Sequence, residues 1–468
     1  MENLELADIQ GLVARGYGKL RAARFLVLRL DDPALARAWL SGLERCVTRS
    51  DEDPTETAVH VAFTVSGLRA IGLAEETLSG FSNEFREGMT TPHRQRILGD
   101  DGGNGLATWR WGGPDTSRVD AVLMLYAVNE DALATLLRAH SEALSKAKIQ
   151  VVAPLETNDI GNGEHFGFRD GISQPTIEGM GRDGPVASVV RPGEFVLGYK
   201  NEYGLLTDRP LVPEANDPIG LLARDSGGSK AHDFGRNGTY LVIRQIQQDV
   251  PRFWQSLDEL SRGPRNEPDP AGRIRLGAKM VGRWPGGAPL ALSPETDDPA
   301  LATANDFGYH REDADGLRCP IGAHVRRSNP RDSLDPKPGS EDSIELNRRH
   351  RILRRGRAYG PPISVEDALS GDGQQAERGL HFVCLAANIA RQFEFVQHTW
   401  ANNPKFAGLY DEVDPLIGPR GPQGATFAMP ALPVRERVRG LPEFVATLGG
   451  GYFFLPGLRA LRYLASLP

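Results

Sequence analysis

Ala23-Arg24-Phe25-Leu26-Val27-Leu28-Arg29-Leu30-Asp31-Asp32-Pro33 reads as a β-strand running straight into a helix. Residues 23–30 alternate and are mostly apolar, as a largely buried strand is. Asp31-Asp32-Pro33 then offers a capping carboxylate and a proline suited to the first helical turn, and helical spacing continues to Val47. Working outward, residues 58–65 and 119–128 are predicted strands. After Asn129 the stretch 130–148 sets Leu133, Leu136 and Leu137 on one helical face, and 149–155 is strand-like again. The order strand, helix, strand, strand, helix, strand is that of a ferredoxin-like unit.

A similar rhythm recurs downstream, with strands at 239–246 and 380–385 and helices at 250–261 and 388–400. The expected class is α+β: two ferredoxin-like halves, each an antiparallel sheet with packed helices, without a residue-level repeat between them. The first half is expected over 1–180, a connecting segment rich in Pro, Gly and Asp over 181–237, and the second half over 238–468. A further weakly periodic stretch covers 263–315, and loops of this length commonly build a site or a contact surface. The tail Leu448-Gly449-Gly450-Gly451-Tyr452-Phe453-Phe454-Leu455-Pro456 is read as a flexible turn followed by a buried aromatic cluster.

The 468 residues allow two or three domains or one large double domain. An apolar share of 40% with 25% charged residues is ordinary for a globular chain. The net charge of −7 gives no basic footprint for nucleic acid or anionic lipid. Cys46, Cys319 and Cys384 form no C-x-x-C pair, which argues against a disulfide framework or zinc knuckle and fits a reducing compartment. The start, Met1-Glu2-Asn3-Leu4-Glu5-Leu6-Ala7-Asp8, is acidic and lacks a signal pattern, and no apolar run nears the roughly 20 residues of a membrane span. A cytoplasmic protein is expected. There is no G-x-S-x-G, H-E-x-x-H or Walker A motif, and Gly102-Gly103-Asn104-Gly105 does not complete G-x-G-x-x-G.

Three segments carry candidate chemistry. Gly167-Phe168-Arg169-Asp170-Gly171 sets one carboxylate in a glycine-bounded turn, where Asp170 either caps its own backbone or faces a site. Cys319-Pro320-Ile321-Gly322-Ala323-His324-Val325-Arg326-Arg327-Ser328-Asn329-Pro330-Arg331 offers an imidazole among arginines. His324 is one of ten histidines and is either a satisfied structural residue or a ligand; the arginines form either an ion-paired face or a cradle for carboxylates. Arg351-Ile352-Leu353-Arg354-Arg355-Gly356-Arg357-Ala358-Tyr359-Gly360 is either a basic strand edge or a means of placing one guanidinium in an apolar pocket. There it would stabilise charge on a leaving oxygen.

Taken together these segments resemble the dye-decolourising (DyP-type) peroxidase family. The family's G-x-x-D-G motif is matched by Gly167 to Gly171, and its ligand segment A-H-x-R-x-x-x-P-R by Ala323 to Arg331. Its distal-arginine segment is similar to Ile352-Leu353-Arg354. Further similarities are Asp8-Ile9-Gln10-Gly11, Gly235-Arg236-Asn237-Gly238-Thr239-Tyr240-Leu241-Val242 and Tyr452-Phe453-Phe454-Leu455-Pro456, so the likeness spans nearly the whole chain and looks like the larger subgroup.

The resemblance implies a haem peroxidase that reduces hydrogen peroxide and oxidises small organic donors, such as dyes and phenolics, through a ferryl intermediate. Haem b would be held without covalent attachment, in the C-terminal half; C-x-x-C-H is absent. His324 would ligate iron, and Asp414, with Glu412 as competitor, would fix its tautomer. Asp170 and Arg354 would act on the opposite face. Arg326 and Arg331 would neutralise the haem propionates, and Leu380 and Phe382 would line the pocket. Neither nucleic acid nor membrane is an expected partner, and a homo-oligomer is. Electrons could enter at the haem edge or through a surface aromatic, with Trp109, Trp111, Trp254, Trp284 and Trp400 among the candidates.

Two departures stand out. Arg327 occupies a position where the family often has Lys, and Leu448 and Gly451 flank the tail glycines where the family tends to carry a basic residue and an acid. Rival readings are a non-catalytic haem carrier, a haem-processing enzyme, and an α+β binding protein without haem. A carrier has no need of a distal acid and arginine.

Overall fold

Asp32 accepts the amide of Leu35 and so ends β1, Ala22–Arg29, in α1, Pro33–Leu43. β2, Thr57–Phe63, and β3, Ala121–Ala127, follow; Asn129 caps α2, Glu130–Lys146, and β4, Gln150–Glu156, completes the unit. These strands lie side by side in the order β4-β1-β3-β2, all antiparallel. This computed structural model describes residues 3–102, 105–181, 184–371 and 376–468. Met1 and Glu2 of the amino-terminal stretch and Gly103 and Asn104 of the glycine cluster lie outside the described residues.

The second half repeats the plan with different residues. β5, Thr239–Gln248, leads into α3, Val250–Ser261, then α4, Pro270–Val281, and α5, His324–Ser328. β6, Leu353–Arg354, β7, Arg357–Tyr359, β8, Gly379–Ala386, and β9, Val445–Leu455, complete it. Between β8 and β9 runs a wide-wound helix, Ala390–Glu394 and Val396–Ala401, in which Glu394 donates to the Ile389 carbonyl and Asn402 to that of Gln397. The order β9-β5-β8-β6 matches β4-β1-β3-β2 strand for strand. Both halves are ferredoxin-like.

The two halves do not keep separate sheets. β9 pairs with β2 at Phe454 and Phe63, which joins all nine strands in one sheet and covers two edges that would otherwise be open. Alternation along each strand then divides the core by face. From β1, Leu26 and Leu28 enter one cluster with Tyr240, Cys384 and Phe454; Phe25 and Val27 enter the other with Leu241, Val383 and Phe453. Each cluster crosses from one half to the other. The segment 181–237 is part of this packing too, with Leu197, Val212, Leu222 and Phe234 on one face and Val190, Phe195 and Tyr199 on the other.

Two sequence readings are corrected. Gly449, Gly450 and Gly451 form no flexible turn but sit inside the eleven-residue β9. A side chain at Gly449 would strike Trp111, with its Nε1 2.5 Å from the added carbon, and one at Gly450 would lie 2.8 Å from the Ile243 carbonyl oxygen. Close backbone approach, not flexibility, requires glycine there. The stretch 263–315 also hides α4, started by Asp269 and Pro270 and stopped by the left-handed Gly282.

A third cluster lies under the candidate site. It joins Phe166 and Phe168 to Phe253, Trp254 and Leu257 of α3 and to Ala323, Leu416 and Phe427. No helix among the described residues is long and apolar enough to cross a membrane.

Candidate active site

The turn that carries Asp170 is a small closed hairpin. Gly163 bridges Arg169, Glu164 N–H donates to the Phe168 carbonyl, and Asp170 N–H donates to that of Asn162. Gly167 (φ 92°) and Gly171 (φ 80°) hold the left-handed backbone at its bends. Phe166 and Phe168 anchor it below: Phe166 packs 4.5 Å from Phe253 between ring centres, and Phe168 stacks on Trp254. Asp170 is left at the top with its Oδ1 accepting from Gly171 N–H at 2.6 Å and from Arg354 Nη1 at 2.6 Å.

Arg354 comes from β6, two residues long, which pairs in register with Cys384 of β8. Such a short strand needs another anchor, and Gln174 supplies it. Its Oε1 accepts the Arg354 amide at 3.0 Å and its Nε2 donates to the Arg354 carbonyl at 3.3 Å. Leu380 and Phe382 lie on β8 on the same side as Cys384, alternating with buried His381 and Val383. Both are only half-buried, so their side chains border open space.

His324 opens α5, and its Nδ1 meets Asp414 Oδ2 at 2.9 Å. Asp414 is fully buried, and its Oδ1 accepts the amides of Leu416 and Ile417. Burial alone would raise its carboxyl, yet His324, Arg327 and the Ile417 amide hold it below the usual value. A carboxylate accepts only, so Nδ1 carries the proton and Nε2 is left with its lone pair. Glu412, the competitor, turns instead to the amide of Ala428 at 2.9 Å. Arg327 lies behind this pair, fully buried, its fork donating to the carbonyls of Gly322, Trp400, Asn403 and Glu412. A lysine there has one nitrogen and could not span this set.

These groups, 154 residues apart in sequence at Asp170 and His324, share one recess. The side chains of Asp170, Arg354 and His324 keep 40, 29 and 28% of their surface exposed. Burial is nevertheless the largest influence on the titration of both Asp170 and His324, and each feels the other's charge. Burial would raise the Asp170 carboxyl, but the Arg354 guanidinium, the Gly171 amide and His324 outweigh it and hold it below the carboxylate range. A bond from Asn329 to Ser173, and another from Asn347 to Asn329, ties the end of α5 to the Asp170 segment.

The arginines divide differently from the sequence reading. Arg326 does not reach the recess. It is 3% exposed and donates to the Asp313 carboxylate and to the carbonyls of Asp313, Ala314 and Cys319, with its guanidinium over Tyr309. Two residues on from His324 in a helix it points to the opposite side, which is why it is corrected to a structural role. Arg331 donates to Asn305 and Phe307 and lies over the Phe307 ring. Arg351, which the sequence did not single out, is 5% exposed; burial, with Arg331 and Arg354 adding to it, pushes its guanidinium down to about 9. Arg283 is pushed down to about 10 by burial and, in smaller part, by Arg331 and Arg354. Among the described residues no carboxylate pairs with Arg283, Arg331 or Arg351. Buried cations without a direct ion pair are costly; an anionic group entering the recess would relieve them.

No family model matches the chain. It is 31% identical to a dye-decolorizing peroxidase of Mycetinis scorodonius over 99% of this chain and 88% of that protein. The chain belongs to the dye-decolorizing peroxidase family. It is an oxidoreductase that reduces hydrogen peroxide and oxidises organic donors. A multifunctional dye peroxidase of an Amycolatopsis strain is 30% identical over 94% of this chain and 91% of that one. A solved dye-decolorizing peroxidase in complex with 2,6-dimethoxyphenol is 28% identical with a TM-score of 0.79, covering 99% of this chain and 100% of that one. A fungal DyP-type peroxidase from Auricularia auricula-judae gives 26% and 0.79 over the whole of both chains.

The recess fits the haem of a dye-decolorizing peroxidase. It offers an imidazole nitrogen left over by the bond to Asp414, and buried arginines with no ion pair among the described residues. Among the tryptophans named above as possible relays in this peroxidase, every one is buried, the most exposed being Trp284 at 6%. Tyr203 and Tyr410 are the exposed large aromatics, at 50 and 80%. Glu164, Gln174 and Arg351 carried no sequence signal of their own. Each lies a few residues from a motif residue, and only the packing shows what it touches.

Proposed function

We propose that haem b binds non-covalently in this recess, where His324 Nε2 would hold its iron and Asp170 and Arg354 would act on hydrogen peroxide. Arg331 and Arg351, with Arg283 beside them, would take the propionates, and Leu380 and Phe382 would line the plane. The observation that supports this reading is the approach of two hydrogen-bonded pairs, His324–Asp414 and Asp170–Arg354, near enough for Asp170 and His324 to feel each other's charge. Haem, when bound, would supply the redox centre, iron together with the ring, that takes up the two oxidising equivalents of peroxide.

The chain's own residues do the rest. Asp414 orients the imidazole and makes it a stronger donor by accepting the hydrogen bond from Nδ1–H. Asp170 takes a proton from one oxygen of hydrogen peroxide and returns it to the other, so that water leaves. Arg354 holds the charge that gathers on the departing oxygen. A haem carrier has no use for such an acid–base pair, which favours the peroxidase reading over that rival. The further expectation of a reducing, cytoplasmic setting is supported by the unpaired state of Cys46, Cys319 and Cys384.

The test is the pH dependence of peroxide activation in haem-loaded protein, followed by stopped flow with a phenolic donor. Because the Asp170 carboxyl is held below the carboxylate range, it stays a base well into acid. The rate constant is expected to hold between about pH 6 and pH 4, where an imidazole base with a pKa of about 6.5 would already be charged. A steep fall over that interval contradicts the assignment of Asp170.

A further inference from the structure

We propose that Glu164 is the positioning residue that aims Asp170. This rests on the reading of Asp170 as the proton carrier. Glu164 lies six positions upstream and reaches neither Asp170 nor Arg354 by hydrogen bond, so its action passes through the backbone. Its Oε1 accepts the Phe168 amide at 3.0 Å. Its Oε2 accepts the Phe166 amide at 2.9 Å and Gln248 Nε2 at 2.8 Å. Its own amide donates to the Phe168 carbonyl at 2.9 Å, and its carbonyl accepts from Gly167 at 2.9 Å. Residues 164–168 are thereby closed into a ring by one side chain and two backbone bonds.

That ring is the tip of the hairpin whose next residues are Arg169 and Asp170. The loop has no partner strand among the described residues; it is paired by the Gly163 to Arg169 bridge and the Asp170 N–H bond to Asn162, and Arg169 N–H donates to the Pro285 carbonyl at 3.1 Å. Two positive-φ glycines, Gly167 and Gly171, leave it with backbone freedom at both bends. The Glu164 carboxylate restrains the first of these bends by binding the amides on both sides of Gly167. Gln248, at the end of β5, then fixes the carboxylate to the sheet that also carries β8 and β6. A continuous path of hydrogen bonds therefore runs from the central sheet to the residue before Arg169. Burial pushes the Glu164 carboxyl up to about 7 against the pull of the two amides and Gln248, and the Asp170 charge adds to the rise. The two carboxylates are close enough to feel each other without touching.

Asp170 has to reach a small molecule held beside Arg354, and a misplacement of about 1 Å can cost about 100-fold in rate. Glu164→Gln keeps the volume of the side chain but sets an amide NH2 against one of the two backbone N–H groups. One bond is lost and the loop is released on one side of Gly167.

The experiment compares the rate constant for peroxide activation in haem-loaded wild type, Glu164→Gln, Asp170→Ala and the double variant, with haem content and amide exchange measured on each. Glu164→Gln is expected to lower the rate at least about tenfold. It is expected to raise exchange at Phe166 or Phe168 and to have no further effect once Asp170 is alanine, since residues that act in series are not additive. An equal loss in both backgrounds, or no loss in either, overturns the proposal. If Asp170→Ala itself fails to slow peroxide, the reading of Asp170 fails instead, and the two failures are told apart. Should Glu164→Gln lose haem or fail to fold, Gln248→Leu removes one of the three bonds to the carboxylate and is read in the same two backgrounds. Its equal effect in both likewise overturns the proposal.

Discussion

Asp170→Ala is expected to slow peroxide activation by about 10²–10⁴-fold, the usual contribution of a positioned general acid–base group. Haem content should stay at the wild-type level. Among the described residues the carboxylate hydrogen-bonds to Gly171 N–H and Arg354 Nη1, and neither Phe166 nor Phe168, which hold the loop, depends on it. Asp170→Asn is the sharper variant, because it keeps the side-chain shape and an oxygen for Arg354 while removing the base. Both are measured by stopped flow as the second-order rate with peroxide. Equal loss in the two variants assigns the effect to the proton. An Asn variant as fast as wild type would remove proton transfer from the role of this residue.

Arg354→Leu is expected to reduce the same rate constant by about 10²–10³-fold, the cost of removing one donor to developing oxygen charge. It also carries a second, independent signature. Burial is the largest influence on Asp170 and acts to raise it; the Arg354 charge and hydrogen bond are the next largest and act to lower it. With the guanidinium gone, burial is opposed by the Gly171 amide and His324 without Arg354, and the carboxyl rises. A base is active when deprotonated, so the acid limb of the pH–rate profile moves toward neutral pH. Arg354→Lys keeps a charge but not the fork, so its limb should stay low while its rate falls. An Arg354→Leu profile with the wild-type acid limb would show that the two side chains are not coupled.

Much of the fold was legible because side-chain period is a strong signal. Residues 250–261 are helical at the bounds the spacing predicts, and β1, β3, β5 and β8 begin and end within about two residues of expectation. What escaped had no period to show. β6 and β7 are two and three residues long, and their strand character comes from β8 beside them. β9 carries three glycines, which read as a turn until Trp111 and Ile243 are seen pressed against them. The joining of the sheets rests on one pair, Phe63 with Phe454, which no local pattern reveals.

The site divides in the same way. Asp170, His324 and Arg354 sit in short segments of unusual composition, and the fold brings these three into one recess. Of the two readings open for Arg326, the ion-paired one holds, with Asp313 as its partner. Arg351, three residues before Arg354, takes up a buried position that chain order alone does not distinguish from that of Arg355, which donates to the carbonyls of Leu12 and Val13 instead. Support from Glu164 and Gln174 is tertiary and is visible only in the hydrogen bonds they make.

The most direct test is haem titration of the apoprotein carrying His324→Gly, with and without added imidazole, read in the Soret and visible bands. The account predicts that the variant loses the wild-type spectrum and that free imidazole, entering the space left against Asp414, restores it. A His324→Gly protein that binds haem with the wild-type spectrum unaided would contradict it.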